Sequence, residues 1–170
     1  MDNISVKWLP EDIDGDDKEG SHNGDNYIAY TFYLGNLGTE TVNYWYEVVI
    51  DDVIKNVDEA VRIMIFRNGE KTIYAKKNAD TKKEEEGTTA FYENDNTNTE
   101  HIAVLEEVTN FQPADIDRFT IVVWLEGDDP DCVNAIIGGE IKMHMNIREE
   151  HIIPKVNKID KKESEDKDEK

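Results

Sequence analysis

Residues Phe119–Ile147, FTIVVWLEGDDPDCVNAIIGGEIKMHMNI, hold two strands of opposite design on either side of an acidic corner. In the second, Ile141, Met143, Met145 and Ile147 alternate with Glu140, Lys142, His144 and Asn146. A side-chain period of two sets one row against a core and the other in water, so this strand is half-buried. Phe119–Leu125 is apolar at nearly every position, as expected of a strand covered on both faces and therefore central in its sheet. Gly138-Gly139 lets the chain turn sharply from the corner into the last strand.

The same alternation of strand and turn signals runs upstream. Tyr27–Leu34 and Val42–Ile50 are rich in aromatic and β-branched residues and flank the turn Gly35-Asn36-Leu37-Gly38, which predicts successive antiparallel strands. Asn68-Gly69, between Val61–Arg67 and Glu70–Lys76, permits the positive φ angles of a tight hairpin. Ile4–Leu9 reads as a short strand and 11–26 as an acidic, Gly-punctuated loop. Val53, Val57, Ala60 and Val61 recur at helical spacing, predicting one or two helical turns around Lys55–Ala60. Residues 78–99 read as a long, mobile excursion in which Thr88–Tyr92 is expected to touch the sheet, and His101–Val108 as a further strand. Seven or eight short strands without βαβ alternation predict an all-β fold, an antiparallel β-sandwich or barrel, with a jelly-roll sandwich the preferred topology and residues 1–154 as one domain.

Residues 155–170 are nearly devoid of apolar side chains, cannot offset the entropy of ordering, and are expected to be disordered. Their lysines balance their acids, so the net charge of -20, from 19 Lys and Arg against 39 Asp and Glu, belongs to the folded body. An excess of that size repels phosphate backbones and anionic lipid, which excludes nucleic acid and direct membrane binding as expected partners. Met1–Pro10 lacks the basic start and apolar run of a signal peptide, and Cys132 is the only cysteine, so no intrachain disulfide can form.

Catalytic chemistry finds little to stand on. His22, His101, His144 and His151 form no H-E-x-x-H pair, and His144 belongs to the wet face of its strand. Ser5, Ser21 and Ser164 lie in no nucleophile elbow. Cys132 is surrounded by Asp128, Asp129 and Asp131, whose charge disfavours a thiolate. No enzyme activity is expected. Calcium is the one cofactor the acidic pattern suits: Asp12, Asp14, Asp16 and Asp17 alternate around Gly15, and Glu126, Asp128, Asp129 and Asp131 form a second set of hard oxygen ligands. Neither is an EF-hand, since Asn23 stands where the first loop would need its terminal Glu, and a solvated acidic surface is the alternative for both. Among the aromatics, Tyr44 and Tyr46 share one face and Trp45 the other. Core positions are expected for Trp45 and Trp124; an exposed Tyr row would instead make a platform for sugar or protein.

The order of features, an N-terminal strand, a strand running into N-x-G in YTFYLGNLGTETVNYWYEV (30–48), and a late strand passing through DDPDCVNAII (128–137) and Gly138-Gly139, resembles the TasA/camelysin-type family of secreted Gram-positive proteins. The resemblance covers Ile4–Ile147 and carries no catalytic motif, although some camelysin-type relatives are described as metalloproteases. It implies a jelly-roll sandwich at the cell surface or in extracellular matrix, its signal or anchor absent from this chain, with a structural role that in some members is fibre formation. Self-association would then come from strand addition, with Ile4–Leu9 pairing to a neighbour's open edge. A calcium-dependent or carbohydrate-binding accessory module is the alternative.

Overall fold

The structure, a computed structural model, describes residues 2–92 and 101–151, of Glu150 and His151 the backbone only. The expectation for residues 155–170 and part of that for 78–99 lie outside the described residues. Nine strands form: β1 (Gly20–Ser21), β2 (Tyr27–Gly35), β3 (Val42–Ile54), β4 (Val61–Arg67), β5 (Glu70–Ala75), β6 (Thr89–Ala90), β7 (His101–Phe111), β8 (Ile116–Leu125) and β9 (Glu140–His151). They make two sheets, ordered β1-β2-β8-β4-β5-β6 and β7-β3-β9, antiparallel except where β6 runs parallel to β5. The connections β2–β3, β3–β4, β6–β7, β7–β8 and β8–β9 each cross from one sheet to the other. The protein is an all-β sandwich.

The apolar run of β8 is explained by its place between β2 and β4. One side presents Phe119 and Val123 to the core between the sheets, where Tyr44 and Tyr46 of β3 meet Phe119 edge-on. The other side presents Val122 and Trp124 to a second core, roofed by Ile4, Val6, Leu9 and Ile13. In β9 the row Ile141, Met143, Met145 and Ile147 packs against the first core, as its alternation predicts. The hairpin joining β4 to β5 turns on Asn68 and Gly69, with φ of 53° and 83°. Asn36, in the N-x-G segment, is buried; its amide donates to the carbonyls of Glu40 and Phe111 and accepts from Gly38 N–H, so it ties the β2–β3 turn to the end of β7.

Several local expectations change. Ile4–Leu9 forms one bridge, Ile4 to Glu126, and then a 3-10 turn at Val6–Trp8 instead of a strand. The Ser5 hydroxyl and the Glu126 carboxylate accept from the N–H groups of Lys7 and Val6, which withdraws those donors from any ladder. The helical spacing around Lys55–Ala60 yields one 3-10 turn at Val57–Glu59, because β3 runs on to Ile54 and positive φ at Lys55 and Asn56 re-aims the chain. Further 3-10 geometry occurs at Asn134–Ile136, just before Gly139, where a Cβ would stand 2.7 Å from the carbonyl oxygen of Ile54. Residues 78–92 are held to the body: Asn78 caps its own loop through Asp80 and Thr81 N–H, and β6 docks on β5. Trp45 is half-buried on the outer face of its sheet, between Glu107 and Arg148, while Tyr44 and Tyr46 are core. That side of the alternation went inward because Tyr44 and Tyr46 find hydroxyl partners there, whereas Trp45 cannot share a face with them.

Candidate functional site

The first acidic set does not converge. Asp12 and Asp17 both pair with Lys18, at 3.2 and 3.6 Å, and the Lys18 ammonium holds the Asp12 carboxyl below its ordinary range. Asp14 turns inward to Arg118, whose guanidinium also donates to the carbonyl of Gly15, and Asp16 stays exposed. With two cations threaded among its carboxylates, this loop is fastened by ion pairs, and Ile13 plugs it into the core beneath Trp124.

The second set is likewise divided among separate partners. Glu126, buried, accepts from Trp124 Nε1 at 3.1 Å and from the N–H groups of Val6 and Asp128. Asp128 receives the Ser5 hydroxyl at 2.7 Å and Lys7 at 3.3 Å, and these donors lower its pKa. Asp129 forms a fully buried ion pair with Arg62 of β4 and accepts from Asp131 N–H. Asp131 reaches across to the 78–88 loop, accepting from Ala79 N–H at 2.9 Å and Asn78 Nδ2 at 3.4 Å. That loop brings in Glu85, a residue the sequence patterns did not single out. One carboxylate oxygen from each of Glu85, Asp129 and Asp131 lies within 4.8 Å of the others, which among the described residues no other set of three His, Cys, Asp or Glu achieves.

A buried polar cluster lies at the other end of β8. Asp117 accepts from the Tyr44 hydroxyl, from Asn68 Nδ2 at 2.6 Å and from Arg67 at 3.2 Å. Burial pushes the Tyr44 phenol upward, and the adjacent carboxylate adds to this, so the group is a proton donor and not a base. Burial alone would raise Asp117, but the three donors outweigh it and hold its carboxyl below the ordinary 3.8. A depressed folded-state pKa stabilises the fold above the unfolded value of about 4, and that contribution is lost as pH falls through the folded value. The melting temperature of the wild type should therefore drop on acidification below about pH 4. Asp117→Asn, less stable at pH 7, should show a smaller drop; parallel melting curves for the two proteins would contradict this assignment.

Among the described side chains the histidines stay apart. His22 contacts the Thr31 hydroxyl at 2.9 Å, and His144, on the wet face of β9, pairs with Asp51 at 2.8 Å. Cys132 is half-buried and accepts from the Asn3 amide. The Tyr44–Tyr46 row, buried in the core, offers no sugar platform.

Two further features mark the rim of the sandwich. A groove of about 790 Å³, lined by Leu34, Leu37, Val42, Phe111 and Ile147, opens where the ends of β2, β3, β7 and β9 meet. Along the side, β9 pairs with β3 on one edge and, among the described residues, with no strand on the other. β3 lies over β8 through the Tyr46–Phe119 contact and β7 lies toward β5 through the Tyr74–Glu106 hydrogen bond, which leaves β9 on the β2 side. There Ile28 and Tyr30, on the same face as the core residues Phe32 and Leu34, are 54% and 50% exposed. No protein-family model matches this chain, and neither the curated proteins nor the solved structures offer a significant match.

Proposed function

We propose that this chain is a non-enzymatic β-sandwich with a structural role, of the secreted or cell-surface kind implied by its resemblance to the TasA/camelysin type, and that it associates with a second copy of itself through β9. The observation that carries this reading is the combination of the twelve-residue edge of β9, which among the described residues pairs with no further strand, with the half-exposed Ile28 and Tyr30 on the β2 side. An open edge presents a row of N–H and C=O groups that another strand satisfies. A strand added there would lie over Ile28 and Tyr30 and take their apolar surface from water. Two β9 edges paired antiparallel obey a two-fold axis, so one surface serves as both donor and acceptor. The N-terminal segment is a poor donor, because Ile4 is already bonded to Leu125 and Gly127 of its own chain.

Sedimentation of the full chain across a concentration series should show a monomer–dimer equilibrium. Ile28→Lys combined with Tyr30→Lys, at half-exposed positions, should abolish the dimer and leave the melting temperature of the monomer within about 1–2 °C of wild type. A wild type monomeric throughout, or a variant that dimerises equally well, would refute the reading.

A further inference from the structure

We propose that the groove at the end of the sandwich binds a small organic cation, an ammonium group carried on an aliphatic body. Its volume of about 790 Å³ lies in the range that takes up a drug-sized molecule, roughly 300–1,000 Å³. Leu34, Val42, Phe111 and Ile147 make the lining apolar, and Leu37, which completes it, is 96% exposed. An aliphatic body that settles there takes this surface from water, and that release drives the binding.

The polar groups of the groove narrow the choice of ligand. Its two buried polar side chains are already committed within the protein. Asn36 donates to the carbonyls of Glu40 and Phe111 and accepts from Gly38 N–H, and the Tyr44 hydroxyl donates to Asp117. A hydroxyl-rich ligand such as a sugar would lose its water against them without gaining partners. Charge is what remains: Glu40 and Glu149 bring exposed carboxylates to the lining, and among the described residues no lysine, arginine or histidine belongs to it. A groove that is apolar within and negative at its rim repels an amphiphilic anion such as a fatty acid and attracts a cation with an apolar tail. The net charge of -20 acts in the same direction at longer range. Binding here does not depend on dimerisation, because the groove opens at the end of the sandwich whereas the outer edge of β9 runs along its side.

The test titrates n-octylamine, n-octanol and octanoate, probes with one straight chain and three headgroups, into the isotope-labelled full chain at neutral pH. The amide resonances of Leu37, Gly38 and Phe111, none of them on β9, serve as reporters. Octylammonium should shift all three saturably and bind about fivefold more tightly than octanol, as two exposed carboxylates allow, with octanoate weakest. Raised salt should weaken the amine alone. The double variant Glu40→Gln with Glu149→Gln, at exposed positions, should fold normally and bind octylammonium no better than octanol. Absence of a saturable shift with octylammonium, equal affinity for the three headgroups, or undiminished affinity in the double variant would each overturn the site. Affinity for octylammonium that falls as the protein is concentrated would mean that a second copy fills the groove, and would overturn it equally.

Discussion

Arg62→Met will destabilise the protein by about 3–5 kcal/mol, because it leaves the Asp129 carboxylate buried without its counter-charge. The side chains of Arg62 and Asp129 are 4% and 0% exposed, so water cannot replace the missing partner. Arg62 also donates to the Val61 carbonyl, but the ion pair dominates. The double variant Arg62→Met with Asp129→Leu should recover most of the loss, since two apolar side chains of similar volume carry no desolvation cost. Urea midpoints of the wild type, both single variants and the double variant close the cycle. If the double variant is as unstable as the sum of the singles, the pair is not coupled and its burial has been misread.

Trp124→Ala should be comparably severe, about 3–5 kcal/mol, a large share of the roughly 5–15 kcal/mol that stabilises a domain of this kind. Trp124 is fully buried on the outer side of β8, so its removal empties the core under Ile4, Val6 and Ile13. The indole also donates to Glu126, whose carboxylate in turn holds Val6 N–H. Trp124→Phe refills most of the volume without restoring that donor, and should cost less, about 1–3 kcal/mol. Equal midpoints for Ala and Phe would mean that packing contributes little at this position.

Features legible in the sequence were those decided by neighbours along the chain. The alternation of β9, the solid apolar run of β8 and the Asn68-Gly69 turn each follow from local sterics and a two-residue period, and each stands in the fold as expected. The acidic corner was legible only in part for the same reason: of its four carboxylates Asp129 and Asp131 lie together. Four carboxylates close in sequence suggested one site, yet a turning backbone aims successive side chains apart: Asp128 toward Ser5 and Lys7, Asp129 toward Arg62, Asp131 toward the 78–88 loop. Which partner each one meets depends on sheet order, and no local spacing encodes that. Glu85 was invisible on the same ground, sitting in a charged run that reads as solvated loop. Arg62 could have been noticed: it is the one charge within the otherwise apolar run Val61–Phe66, and a buried strand tolerates such a residue only with a partner.

The pairing order has a consequence for how the chain is made. β2 and β4 find their long partner in β8, and β3 lies between β7 and β9. Each of these partners is contributed by residues 101–151, so a ribosome that has delivered the first hundred residues has produced β2, β3 and β4 without their long partners, with only the β4–β5 hairpin and the two-residue strands β1 and β6 to pair with. Such long-range closure is slow, and the waiting strands are prone to pair with the wrong neighbour. For this protein the hazardous interval is its own synthesis: β8 stitches β2 to β4, and the interval ends only when β9 arrives to pair with β3.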